Sequence, residues 1–397
     1  MLRLSRLGLL LLVLCAAGGA ADNRATKSAL PAKASVAAVP PVIIEQGEID
    51  GAKFTIARPA RWNRQLLLIA HGLRAESAPL VADLFPEHFA YQTLLDEGWM
   101  VAKTSFRRNG PIIGDAIADL DALRAHIVQT YGNPGRVLLE GESMGGLIGT
   151  LIAERAPDYD DQGQPLFAGI VAIGAALSAK EPNMALGLSL RPKIPVIFLT
   201  NQSELDGPKN YVRTFVPRDR TDVLPVLLRV SRDGHVNVNQ RERLAALRIL
   251  NAWLDSGPSA LPPPAKDEPF FDVTVPPAPQ PSQVALQDDS RGFAARVTEV
   301  SAGYGNLQLN AQPGDFAAAG IRPMVWFQLK VGAKTYRVRY GRDFDSVKRG
   351  EWVAFPNADG FTWLVRNLGD AAVTAGLKLG DSVTLRRYDD VPSESAP

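Results

Sequence analysis

Gly141-Glu142-Ser143-Met144-Gly145 sets a serine between two glycines, after the apolar run Arg136 to Glu140 and before the small and aliphatic residues Gly146 to Arg155. The first run reads as a short buried strand and the second as a helix, so the pentapeptide is expected to form the turn between them, too sharp for side chains at Gly141 and Gly145. Such a turn strains the serine and leaves its Oγ exposed, where a base can take its proton. Nucleophilic catalysis then needs that base, an acid to orient it and donors for the oxyanion. Of the four histidines, His71, His88, His126 and His235, only His235 follows Ser143, in the loop Ser231 to Asn237 after the apolar run Val223 to Val230. Two carboxylates, Glu204 and Asp206, lie in the loop that follows the β-branched run Ile194 to Thr200. Upstream, His71-Gly72-Leu73 ends the apolar run Gln65 to Ala70.

These residues and their order resemble the α/β-hydrolases of the serine esterase or peptidase type, over about residues 42 to 254. The resemblance implies a triad in the order serine, acid, histidine, with Ser143 as nucleophile and His235 as general base. It implies Glu204 as the acid, with Asp206 as the alternative; Asp206, before a glycine, and Asp233, near His235, also suit turns. Backbone N–H groups near Gly72 and Leu73 and of Met144 are implied as the oxyanion hole, while His71 acts through its backbone and packing. No cofactor is implied, and the sequence has no Cys/His cluster with metal-ligand spacing.

The elements that must hold these residues follow from hydrophobic period. Val42 to Glu45 and Phe54 to Ala57 read as an opening hairpin, and Trp99 to Thr104 and Leu166 to Gly174 as core strands. Ile113, Ile117, Leu120, Leu123 and Ile127 set one apolar helix face against them, and Arg241 to Leu250 reads as the last helix. Alternating strands and helices predict an α/β fold, a doubly wound and mostly parallel sheet with both faces covered. Residues 175–190 leave room for a small flap at most, so an open, shallow site is expected. Arg107 and Arg108 read either as a solvated loop or as a pair facing a substrate carboxylate.

Outside this segment the composition changes twice. Arg3 and Arg6 precede the apolar run Leu7 to Ala17 and the small residues Gly18 to Ala21, the pattern of a signal peptide over residues 1–21, too short to leave a stable membrane span. Export to the periplasm or the medium follows; a lipid anchor on Cys15, the single cysteine, is the lesser reading because Leu14 before it is large. Cleavage near Ala21 leaves a chain without disulfides, which must rely on its core. A net charge of +1 makes no electrostatic case for nucleic acid or an anionic membrane.

The hydrolase-like segment is read as residues 40–255, followed by a proline-rich linker over 256–290 in which Phe270-Phe271 is expected to dock on a neighbouring surface. A chain ending near Pro258 is accordingly expected to fold alone. Beyond it, short strands separated by turns predict a small all-β barrel or sandwich over 291–388. Gly303-Tyr304-Gly305-Asn306, Gly350-Glu351, Gly369-Asp370-Ala371-Ala372 and Leu377 to Val383 are similar, in order, to the C-terminal barrel of S-adenosylmethionine hydroxide adenosyltransferases. Ala302 stands where that family has Asp and Leu309 where it has Thr, and the family's separate N-terminal domain is absent. The resemblance therefore implies a binding or packing accessory rather than adenosyl chemistry.

The sequence thus reads as an exported serine hydrolase that cleaves a carboxylic ester through an acyl-enzyme. A serine peptidase of the same fold, and a non-catalytic binding protein that uses the barrel, are the alternatives. A small-molecule ester or a peptide is the expected partner.

Overall fold

The computed structural model describes residues 42–155, 163, 165–177, 187–218, 220, 222–262 and 269–389. The leader reading at 1–21 and most of the flap reading at 175–190 lie outside them. Runs such as Gln65–Ala70 and Val196–Asn201 are apolar at nearly every position, so they suit strands covered on both faces. They lie at the centre of a nine-stranded sheet built from β1 (Ile43–Ile49), β2 (Ala52–Arg58), β3 (Gln65–Ala70), β4 (Met100–Thr104), β5 (Arg136–Glu142), β6 (Gly169–Ile173), β7 (Val196–Asn201), β8 (Val226–Val230) and β9 (Phe270–Asp272). The strand order is β1-β2-β4-β3-β5-β6-β7-β8-β9. β1 and β2 are antiparallel to their neighbours and β3 to β9 are parallel, a mostly parallel sheet. The order reverses beside β3, so the strand ends at β3 and β5 frame a crevice.

Helices cover both faces. α2 (Ile113–Tyr131), α3 (Met144–Arg155) and α4 (Asp206–Thr214) pack on one face through Leu120, Leu147 and Tyr211, with Leu66 and Leu68 of β3. α1 (Phe89–Asp96) and α5 (Gln240–Ser256) pack on the other through Leu94, Leu244 and Leu247, with Leu67 and Ile69. Alternate residues of one strand thus enter two cores, each buried leucine contributing about 1.5–3 kcal/mol. α5 starts at a capping box in which Asn239 accepts from the N–H of Glu242 and Glu242 accepts from that of Asn239. Among the described residues no helix is long and apolar enough to cross a membrane.

The stretch read as a linker does more than connect. Phe270 is buried in β9, which extends the sheet beside β8, and the Val275 N–H donates to buried Glu242 at 2.9 Å. A chain ending at Pro258 loses both contacts, which argues against the clean boundary that proline content suggested.

The second sheet holds β10 (Ala285–Leu286), β11 (Gly292–Val300), β12 (Leu307–Leu309), β13 (Trp326–Val331), β14 (Lys334–Tyr340), β15 (Trp352–Pro356), β16 (Thr362–Arg366) and β17 (Ser382–Arg387). The order β11-β12-β16-β15-β14-β13-β17 closes through a β11–β17 pairing, so it is a barrel rather than a sandwich. Alternation along β11 sends Phe293, Ala295 and Val297 inward. Short helices α6 (Pro313–Ala318) and α7 (Ala371–Ala375) accompany the barrel, and Phe316 of α6 stacks on Tyr340 in its core. The described residues of both sheets belong to one compact unit.

Candidate active site

β5 ends at Glu142 and α3 begins at Met144, which leaves Ser143 alone at the turn with φ +53°. A Cβ on Gly141 would lie 2.1 Å from the Gly145 carbonyl oxygen, and one on Gly145 would lie 2.1 Å from that of Ala70. Neither position tolerates a side chain, so the two glycines let strand, helix and β3 meet and turn the serine outward. Met144 opens α3, so its N–H belongs to the first turn, where donors have no intrahelical acceptor and the helix dipole favours negative charge.

His235 follows β8, and its Nε2 lies 2.8 Å from Ser143 Oγ. Its Nδ1 lies 2.6 Å from Glu204 Oε2, while Glu204 Oε1 accepts from the Val236 N–H at 3.2 Å. Glu204 closes a short 3-10 turn, Gln202–Glu204, directly after β7. Val236, a β-branched residue, is held at φ +53°, so backbone strain is found on both sides of the Ser143–His235 contact. Burial acts to lower the His235 pKa, but the hydrogen bond and charge of Glu204, with Asp345 and Asp343 adding, raise it above the ordinary 6.5.

Of the two candidate acids the fold brings Glu204 to the histidine. Asp206 is exposed in the first turn of α4, and Asp233 accepts from Gln202 at 3.0 Å. Gly72 lies beside the serine, since a Cβ there would sit 3.2 Å from Ser143 Cβ, and Leu73 lines the same cleft. His71 is buried against Phe106 with its ring nitrogens at the carbonyls of Gly72 and Ser105. Burial, then Arg74 and Lys103, draws its pKa down to about 3, so it remains neutral. Arg107 and Arg108 are taken up by Asp119 and Asp115, at 2.8 and 2.7 Å, rather than turned to a ligand.

Behind the turn, Arg243 of α5 bridges Glu140, fully buried on β5, and Glu142, within the pentapeptide, at 2.6 Å from the latter. Tyr91 of α1 donates to Glu140 at 2.8 Å. A cation between two carboxylates thus ties α5 to the strand that carries the serine. Burial works against the Arg243 charge, yet the flanking carboxylates hold it firmly protonated.

The site is deeper than the short flap interval suggested. Ser143, His235 and Gly72 open into a cleft of about 1250 Å³ whose other wall is the barrel, with Tyr304, Phe344 and Asn357 among its lining residues. Phe344 meets His235 edge to face at 5.5 Å, and Asn237 Nδ2 donates to the Pro356 carbonyl at 3.4 Å. The contributions of Tyr304 and Phe344 escaped the sequence reading; the only signal was an aromatic flanked by glycines in Gly303-Tyr304-Gly305. Asn310 accepts from the Arg296 N–H at 2.7 Å and donates to the Gln283 carbonyl at 3.1 Å, a structural role.

Residues 302–384 match the SAM hydroxide adenosyltransferase C-terminal domain family. Among solved structures the chain is similar to an uncharacterized conserved protein from Thermotoga maritima, at 22% identity, 36% of this chain, 49% of that chain and a TM-score of 0.25. It is similar to an esterase from Pyrococcus furiosus, at 16% identity, 47% of this chain, 83% of that chain and a TM-score of 0.34. It is also similar to a post-proline cleaving enzyme from Rickettsia typhi, at 15% identity, 55% of this chain, 38% of that chain and a TM-score of 0.39. The chain thus spans about half the length of the Thermotoga protein and less than half of the Rickettsia one. No curated protein matches it.

Proposed function

We propose that this protein is a serine hydrolase that cleaves a carboxylic ester through an acyl-enzyme. The observation that carries the reading is the unbroken line Ser143 Oγ, His235 Nε2, His235 Nδ1, Glu204 Oε2, with contacts of 2.8 and 2.6 Å. Ser143 Oγ attacks the ester carbonyl and gives its proton to His235 Nε2, while Glu204 holds the imidazole and stabilises its charge. His235 then returns that proton to the departing alcohol, and a water deprotonated by the same nitrogen releases the acid. N–H groups near Gly72 and Leu73 and of Met144 receive the developing oxyanion.

A carboxylic ester is the substrate class we favour; the same triad cleaves amides, so a peptide is the second substrate to assay. The leader pattern at Arg3, Arg6 and Leu7 to Ala17 supports export to the periplasm or the medium. Rapid mixing with p-nitrophenyl acetate tests the reading: a burst of one nitrophenol per chain, absent in Ser143→Ala, is expected. Ester turnover that persists in Ser143→Ala would overturn it.

A further inference from the structure

Tyr304 lies in the loop between β11 and β12, and its ring rests on the guanidinium of Arg74, with Cζ 5.0 Å from the ring centroid. Arg74 is 1% exposed and is itself fixed, donating to the Val81 carbonyl at 2.7 Å and to Asp83 at 2.6 Å. Gly303 allows the approach, since a Cβ there would lie 2.3 Å from Arg74 Cζ. The phenol is therefore clamped by a buried cation of the other lobe, and little rotamer entropy is left to lose when it meets a ligand.

Its hydroxyl end points at the nucleophile's surroundings. A Cβ on Gly72 would lie 3.1 Å from Tyr304 Oη and 3.2 Å from Ser143 Cβ, so hydroxyl and serine converge on one face of Gly72. Both residues line the same cleft. Burial, opposed by Arg74, lifts the Tyr304 pKa to about 12, so its proton stays in place while His235 is neutral. A neutral phenol on a fixed ring is a hydrogen-bond donor whose orientation is settled before substrate arrives.

We propose that Tyr304 is a catalytic residue that donates a hydrogen bond to the oxygen of the reacting carbonyl, completing from the barrel the oxyanion site begun by Gly72, Leu73 and Met144. The proposal rests on the serine hydrolase reading above. When Ser143 Oγ bonds to the carbonyl carbon, the carbonyl π pair moves onto oxygen and the serine proton moves to His235 Nε2. Tyr304 Oη–H bonds to that oxygen and keeps its own proton. As the tetrahedral centre collapses the pair returns, the alkoxide leaves with the proton from His235, and the Tyr304 bond weakens. Water repeats the sequence on the acyl-enzyme. The barrel is thus part of the reaction centre as well as a wall.

Tyr304→Phe keeps the ring over Arg74 and removes one hydroxyl. With p-nitrophenyl acetate, kcat should fall about a hundredfold to a thousandfold, as for loss of one oxyanion donor, with KM little changed. Across aryl acetates of differing leaving-group acidity the loss should be constant, because the donor faces the carbonyl oxygen. A folded Tyr304→Phe with unchanged kcat would overturn the proposal, as would a rise in KM alone or a loss that grows with leaving-group basicity. Should Tyr304→Phe fail to fold, trifluorotyrosine at 304, whose phenol is more acidic, must lose activity as pH rises through its ionisation, and a flat profile there would equally overturn it. Failure of the serine reading is distinguishable: the wild-type protein would then give no burst dependent on Ser143.

Discussion

The first lobe and the barrel meet at the cleft with opposite equipment. On the first lobe the polar groups that meet there stand at the ends of buried strands: Ser143 after β5, Glu204 after β7 and His235 after β8. Ser143 and Val236, next to His235, are held at positive φ, and a 3-10 turn sets Glu204. The barrel brings a loop tyrosine, the ring of Phe344 and the carboxylates of Asp343 and Asp345, presented from loops and a 3-10 turn. Strand ends fix the atoms that make and break bonds, whereas barrel loops surround them with charge, an aromatic ring and the Tyr304 hydroxyl. If that division is right, damage to the first lobe should remove the reaction and damage to the barrel should slow or retune it.

The largest effect is expected from the first lobe. Ser143→Ala and His235→Ala should each lower kcat by about three to six orders of magnitude, and the double variant should be little worse than either, because the two act as a unit. Multiplying losses in the double variant would break the comparison at its root. Glu204→Gln should cost about four orders of magnitude, since an amide cannot hold the imidazole in its working tautomer. Asp206→Asn, in the first turn of α4, should cost almost nothing; the reverse ranking would move the acid role.

Stability of the serine's strand comes next. Arg243→Met leaves buried Glu140 and half-buried Glu142 without their shared cation and should destabilise the fold by about 3–5 kcal/mol, read from urea unfolding. A loss near zero would mean that the network is dispensable. The barrel should show the smallest effect through charge. Asp345→Asn removes one of the charges that raise the His235 pKa. Activity rises with pH as His235 loses its proton, so a lower pKa moves that acid limb to lower pH, by a few tenths of a unit for one partly screened charge. A shift to higher pH would contradict the electrostatic coupling between lobes.

What could be read from the sequence follows the same division. Ser143 was legible because a short apolar run, two glycines and a small-residue helix occur within twenty residues, and His235 because no other histidine follows Ser143. Glu204 and Asp206 stayed open, since they lie two residues apart in one loop; a single 3-10 turn, Gln202–Glu204, orients the first toward His235 and leaves the second to start α4. β9 was hidden because three residues set among prolines give no period, and only Phe270-Phe271 hinted that the segment docks. Tyr304 and Phe344 were illegible as site residues for a different reason. Their place depends on how a barrel loop lands on Arg74 and His235, which no local pattern encodes.

If the triad works as proposed, Ser143 Oγ at the β5–α3 turn is the nucleophile of the two-lobed molecule. A fluorophosphonate probe applied to the full chain, followed by peptide mass spectrometry, tests this. One adduct per chain on Ser143 is predicted, slowed as acidification protonates His235 and abolished in His235→Ala. A protein that stays folded and leaves Ser143 unmodified, or carries the adduct on another residue, would contradict it.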